Sequence, residues 1–447
     1  MSANNIENEL DNLKDAVAMA LDYAKKLGTN AAEVAISKQQ GLSVSSRLKE
    51  VETVEFNKDG ALGITLYRNG CKGCSSTSDL SPEAIKQAVK AASDIANLTS
   101  EDPFSGLADA KLMATEFPDL DLYYPQELSS ETLAQLAIDA EIAAMESDPR
   151  IKNSDGASAS AHTGIKVYGN SHGFLNGYSS SRYSLSCVVI GNDDAGNMQR
   201  DYDYTISRRF NQLLTPQEVG MKAAEKTLAR LGGRKIATTK LPVLFAPDLS
   251  TGLISHLISA ISGGSLYRKS SFLQDSLGTQ LFPEWFNINE EPHLLGALAS
   301  AAYDSEGVAT KNRTIVDNGI LASYLLTSYS ARKLNMESTG HAGGIYNWTV
   351  SDTGQSFDEL VKAMGTGLIV TEVMGQGVNA ITGDYSRGAA GFYVENGEII
   401  HPVEEITIAG NLKDMFLNIQ AISNDREMRS SIRTGGILLP EMKIAGN

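Results

Sequence analysis

Apolar residues recur at helical spacing through Ile6, Leu10, Leu13, Val17, Ala20, Ala24 and Leu27, and Gly28 stops the pattern. The spacing predicts an amphipathic helix over 6–27 with a glycine just past its end. The period then changes to two. Runs 32–37, 42–47, 51–57 and 63–68 alternate apolar and polar, with turn signals at Gln40-Gly41 and Asp59-Gly60, which predicts short antiparallel strands. Ser81-Pro82-Glu83 opens a second helix that runs to about Asn97, with proline in its first turn. Residues 98–126, carrying Pro103, Pro118 and Pro125, read as a linker. A third helix covers 129–147, and 156–210 is rich in strands, with turn signals at Tyr168-Gly169-Asn170 and at 192–196. Thr215-Pro216-Gln217-Glu218 is a capping box, and its helix ends at Gly232-Gly233.

The stretch from Leu241 to Phe272 organises the second half. Leu241 to Ala246 reads as a buried strand, which Pro247 breaks, and Asp248 or Ser250 is the expected N-cap of a helix. Leu249, Leu253, Leu257, Ala260 and Ile261 keep one apolar face, and Gly263-Gly264 ends it. One polar ring, His256, sits inside, and spacing alone reads it as a hydrogen-bonded packing residue. Short strands and glycine turns follow. The expected fold is α+β: an N-terminal antiparallel sheet with helices, and a C-terminal strand-rich domain around a central buried helix. The expected division is 1–100, an N-terminal α+β unit; 127–233, a helix with a β-meander; and 239–447, with the boundary near 232–240.

Composition narrows the class. At 447 residues the chain exceeds one typical core. A formal charge of −16 argues against direct binding of nucleic acid or anionic membrane. Three cysteines cannot form a disulfide framework, which suits a reducing compartment. The acidic N-terminal segment and the lack of an apolar run near 18 residues lead to the expectation of a cytoplasmic protein without signal peptide or membrane span.

No free-standing catalytic constellation emerges. Gly169-Asn170-Ser171-His172-Gly173 matches the nucleophile-elbow pattern, but its flanks read as strands rather than strand and helix, so a hairpin turn is expected. Cys71-Lys72-Gly73-Cys74 is a lone pair that follows a strand, which suits neither zinc nor a thioredoxin-like site. His293, His341 and His401 are scattered, and His401 with Glu404 and Glu405 matches no standard ligand spacing. The glycine-rich run 365–391 is neither a Walker loop nor a dinucleotide fingerprint.

Several segments carry a resemblance. They are the Gly-Leu-Ile-Ser-His helix with its trailing Gly-Gly-Ser-Leu-Tyr-Arg, Asp304 to Val308, Asp317 to Leu334, Ser338 to Ala342, and above all Ile381 to Phe392 with Glu395 to Ile399 and Val403 to Leu412. Over roughly 30–447 the chain resembles the TldD/PmbA metalloprotease family. In the TldD branch this helix carries His-Glu-x-x-x-His, with a cysteine ligand near the C-terminus. Laid on this sequence, the three helix positions are His256, Leu257 and Ile261, and residues 433–440 contain no cysteine.

A catalytic zinc needs three protein ligands, a water and a carboxylate to move its proton. Leu257 and Ile261 supply none of these. The chain is therefore similar to the PmbA/TldE branch, and no catalytic, metal or cofactor residue is expected in it. The resemblance implies a heterodimeric, cytoplasmic metalloprotease whose zinc sits in a TldD-like partner subunit and whose substrates are peptides and unfolded proteins. The family is also linked to processing of peptide toxins and antitoxins and to an older description as modulators of DNA gyrase. Two alternatives stay open: a non-proteolytic binding or regulatory protein, and an independent hydrolase with a site rebuilt from His256 with His341 or His401. So does a homodimer in the partner's absence.

Overall fold

A computed structural model describes residues 3–446, with side chains described from Ile6 onward. The N-terminal half is one six-stranded antiparallel sheet. In chain order come α1 (Ala3–Lys26), β1 (Ala31–Arg47), β2 (Glu50–Arg68), β3 (Cys71–Thr77), α2 (Pro82–Ala96), α3 (Ser130–Ser147), β4 (Ile151–Asn170), β5 (Leu175–Asn192), β6 (Met198–Ser207) and α4 (Pro216–Ala229). The spatial order is β3-β2-β1-β4-β5-β6. Strands from 31–77 and from 151–207 thus meet in a single sheet through β1 and β4, with Val44 opposite Ala159.

Alternation decides which face is buried. Val34, Ile36, Ile165 and Val167 pack on α1 and α2 at one end, and Val44, Ala157, Ala159 and Leu185 on α3 and α4 at the other. All four helices therefore share one face. The opposite face carries Ser37, Gln39, Ser43, Ser160, Ser180 and Ser184 at the alternate positions.

The turns expected at Gln40-Gly41 and Asp59-Gly60 are not turns. β1 and β2 run unbroken through both and reverse instead at Leu48-Lys49, whose φ values of 53° and 68° suit a tight hairpin. Gly41 is needed for a different reason: a Cβ there would stand 1.9 Å from Nδ1 of His162 on the neighbouring strand. The hairpin tip is held by Glu141 of α3, which is fully buried and accepts from Ser46 Oγ at 2.5 Å and from the amides of Leu48 and Lys49 at 3.0 and 3.2 Å.

Residues 98–126 contain only a single helical turn at Ala110–Leu112 and strap the two halves together. The Arg332 guanidinium donates to the carbonyls of Phe104 at 3.1 Å and Gly106 at 3.2 Å, and Tyr329 donates to Asp102 at 2.7 Å. The C-terminal half holds β7 (Thr239–Phe245), α5 (Pro247–Ile261) and α6 (Gly263–Tyr267), followed by many short strands. β7 lies mid-sheet, parallel to strand Gly367–Met374 and antiparallel to strand Ile437–Ala445. A second, five-stranded sheet of short strands packs on the same core, and α5 lies within it: Leu253, Ile254, Leu257, Ala260 and Ile261 join Phe245, Val370, Trp348 and Ile437 in one cluster. The architecture is the α+β arrangement the pattern predicts, with a strand-rich C-terminal half around a buried helix. Among the described residues no helix is long and apolar enough to cross a membrane.

Candidate functional site

The start of α5 corrects one expectation. Pro247 is the first residue of the helix rather than a spacer before it, Ala246 is the N-cap, and no side chain caps the end. Proline suits that position because its missing N–H has no helical partner there anyway. Ser250 is used otherwise: its Oγ donates to the Phe245 carbonyl at 3.3 Å and accepts from the Ile437 amide at 3.1 Å. The C-terminal strand is thereby fastened to the first turn of the helix.

The three motif positions diverge in environment. Leu257 and Ile261, four apart, form one ridge and are both 0% exposed. Burying each such side chain stabilises the fold by about 2–3 kcal/mol, so both positions are core. His256 is turned off that ridge and is partly buried, its ring edge-on to Tyr385 with centroids 6.0 Å apart. No hydrogen bond to the imidazole is found among the described residues, so the expected hydrogen-bonded role is replaced by a ring contact. Burial, and then the Arg387 guanidinium, hold its pKa below the ordinary value of 6.5. A proton on this ring is disfavoured by both.

The segment that would hold a cysteine ligand is equally filled. Thr434 to Leu439 are buried. A Cβ on Gly435 would stand 1.8 Å from the Ser423 carbonyl oxygen, and one on Gly436 would meet the Phe357 ring at 2.6 Å. Neither position takes a cysteine without moving its neighbours. Around His256 the structure places the Tyr385 ring, the hydrocarbon of Leu257 and the charge of Arg387, and the carboxylate of Asp248 lies two turns away at the start of α5, which does not fit a three-ligand zinc site. No group of three or more His, Cys, Asp or Glu side chains able to hold a metal occurs among the described residues.

The other candidates do not converge. His341 is buried, with Nε2 2.9 Å from Glu290 Oε2 and Nδ1 2.8 Å from Thr339 Oγ1. His401 stacks on Tyr393, and His293 meets Thr310 at 3.1 Å. None of these partners is shared with His256. Ser171 lies in the β4–β5 turn, where its Oγ accepts from the Ala32 amide at 3.1 Å, and His172 Nε2 sits 3.1 Å from the Ala108 carbonyl oxygen. Cys71 and Cys74 are three apart on β3 and so face opposite sides of it. The glycine-rich run 365–391 largely forms two sheet strands.

Sequence reasoning missed Glu290. It is buried and accepts from Trp348 Nε1 and the Tyr346 amide, each at 2.9 Å, beside His341. This network joins strands Ile288–Glu290 and Trp348–Val350, and its one sequence signal was an acid in a strand-like run. Its polar atoms are occupied by one another, which marks it as structural.

Comparison with known proteins places this geometry. Three domain models of one family match in succession: PmbA/TldA metallopeptidase domain 1 over 32–96, the central domain over 123–231 and the C-terminal domain over 238–446. The chain is 57% identical over 441 residues to metalloprotease PmbA of Escherichia coli O157:H7, covering 99% of this chain and 98% of that one. It is 58% identical over 438 residues to a Haemophilus influenzae homologue of that protein, covering 97% and 96%. A crystal structure from Bacteroides thetaiotaomicron, described as a candidate modulator of DNA gyrase, superposes with a TM-score of 0.92 at 29% identity, covering 97% of this chain and 99% of that one. TldE from Thermococcus kodakarensis shares the fold, with a TM-score of 0.84 at 20% identity over 96% of this chain and all of the other.

Proposed function

The chain belongs to the PmbA/TldD metallopeptidase family, and from that premise we propose that it is the metal-less, PmbA/TldE-type subunit of a cytoplasmic two-subunit metalloprotease. Its partner is a TldD-like chain that carries the zinc, and the substrates are peptides and unfolded proteins. The chain contributes no catalytic residue. It walls the chamber beside the partner's metal, so that extended chains enter and folded proteins do not.

The observation that carries this reading is the state of α5. The helix, its strand and the crossing C-terminal segment are retained, while Leu257 and Ile261 are fully buried in hydrocarbon. A repacked site of that kind supports architecture kept for a partner rather than chemistry of its own. The test is hydrolysis of unfolded casein and short peptides by the TldD-like partner with and without this chain. A gain in rate, or a narrowing of substrates to unfolded ones, is expected only with both chains. Equal rates and an equal substrate range would remove the proposal and favour a non-proteolytic binding role.

A further inference from the structure

We propose that the cleft between the open face of the N-terminal sheet and the loop at 297–299 binds an extended acidic peptide, with its carboxylates on Lys166, Arg182 and Arg208. The inference rests on the chamber-wall reading above and names the substrate class that wall would select. The cleft, about 680 Å³, crosses β2, β1, β4, β5 and β6. Four strand spacings make it about 19 Å long, which accommodates roughly six residues of extended chain.

Its charge is opposite to that of the molecule. In a chain of net charge −16, five cationic side chains belong to residues lining this cleft, against one carboxylate, Asp59 on β2. Two of the five are already neutralised: Lys38 by Glu9, and Arg429 by Glu427 and Asp203. The other three are not. Lys166 and Arg182 have no ion-pair partner among the described residues. The Arg208 guanidinium donates to the carbonyls of Ala297 at 2.9 Å, Leu298 at 2.8 Å and Ser181 at 3.3 Å, which orient it without cancelling its charge.

Arg182 stands directly across from His162 in the β4–β5 register. After burial, its charge further lowers the pKa of both His162 and Arg208. The like charges of Arg182 and Arg208 disfavour each other, and no carboxylate among the described residues pairs with either of them or with Lys166. A bound carboxylate would. Past Lys166, which lines both, lies a lobe of about 470 Å³ whose Tyr178, Tyr303 and Tyr346 rings suit an apolar side chain of the same peptide; its one carboxyl, Asp304, accepts from the amides of Glu306, Val308 and Ala342. A small inorganic anion would use neither this lobe nor the cleft's length.

The test is calorimetric titration of the full chain, alone, with an unlabelled decapeptide of alternating Glu and Ser, its Gln-Ser counterpart and inorganic phosphate. The Glu peptide is expected to bind at least tenfold more tightly than the Gln peptide at low salt and to weaken as salt rises. Lys166→Gln with Arg182→Gln should weaken it at least tenfold while leaving the melting temperature unchanged or higher, because repulsion is relieved. Equal binding of the two peptides, no binding of the Glu peptide, or phosphate binding as tight as the peptide would each overturn the inference. The peptide comparison on the unaltered chain needs no variant to fold. Failure here with a partner-dependent peptidase gain intact removes the cleft alone; peptide binding without such a gain removes the subunit reading alone.

Discussion

The Ile437 amide donates to Ser250 Oγ at 3.1 Å, so the C-terminal strand and the first turn of α5 share one buried hydroxyl. This contact fastens the C-terminal strand to the first turn of α5. Ser250→Ala removes this acceptor from a buried backbone amide. The expected cost is about 1–3 kcal/mol, read as a lower urea midpoint with unchanged slope. No loss would mean that the crossing is held by packing alone.

Restoring single motif residues should damage the fold and return no chemistry. Ile261→His and Leu257→Glu each place a polar group where exposure is 0%, at a cost on the order of 3 kcal/mol. Neither variant is expected to hydrolyse peptides when zinc is added, since the remaining donors are still missing. Zinc-dependent hydrolysis by Ile261→His alone would show a more complete site than the side chains around it suggest.

Gly41 and His162 form a second testable pair. Gly41→Ala would drive a methyl into the imidazole at 1.9 Å, and overpacking of this kind costs about 1–3 kcal/mol. In a His162→Ala background the same substitution should cost little or nothing. A penalty that persists without the ring would point to backbone strain instead.

Much of the fold was legible in local pattern. The α4 capping box of Thr215 and Glu218, the β4–β5 hairpin and the apolar ridge of α5 all follow from neighbours a few residues apart. The errors arose where distant residues decide. Gly41 looks like a turn because glycine usually marks one, yet its role is set by a ring 121 positions later in the chain. Asp248 and Ser250 both look like N-caps, but the helix begins at Pro247, and Ser250 is taken by Ile437. Lys166, Arg182 and Arg208 are unremarkable in sequence and come together only through strand register. At positions 257 and 261 the residue types were readable directly, because a hydrocarbon side chain cannot be a ligand in any fold.

Asp304 gives a pH dependence with a definite sign. Burial, and then the nearby Glu306 carboxylate, push its pKa up from 3.8 to about 7, against three backbone amides that favour the ionised form. Between about pH 4 and 7 the folded state therefore binds more protons at this site than the unfolded state, so the group's contribution to stability falls as pH rises through that window. Asp304→Asn should flatten that part of the stability profile. The check is the difference between the two proteins in melting temperature from pH 4.5 to 7.5. A difference that stays constant across the window would contradict the assignment.

If the helix is kept without a metal centre, this chain alone should hold no metal. The chain would be purified without its partner, dialysed mildly and analysed for zinc and other transition metals. A metal content near zero is expected, with zinc appearing only when the TldD-like chain is present. About one tightly held metal per chain would mean that other side chains have rebuilt a site around His256, which would contradict a metal-less subunit.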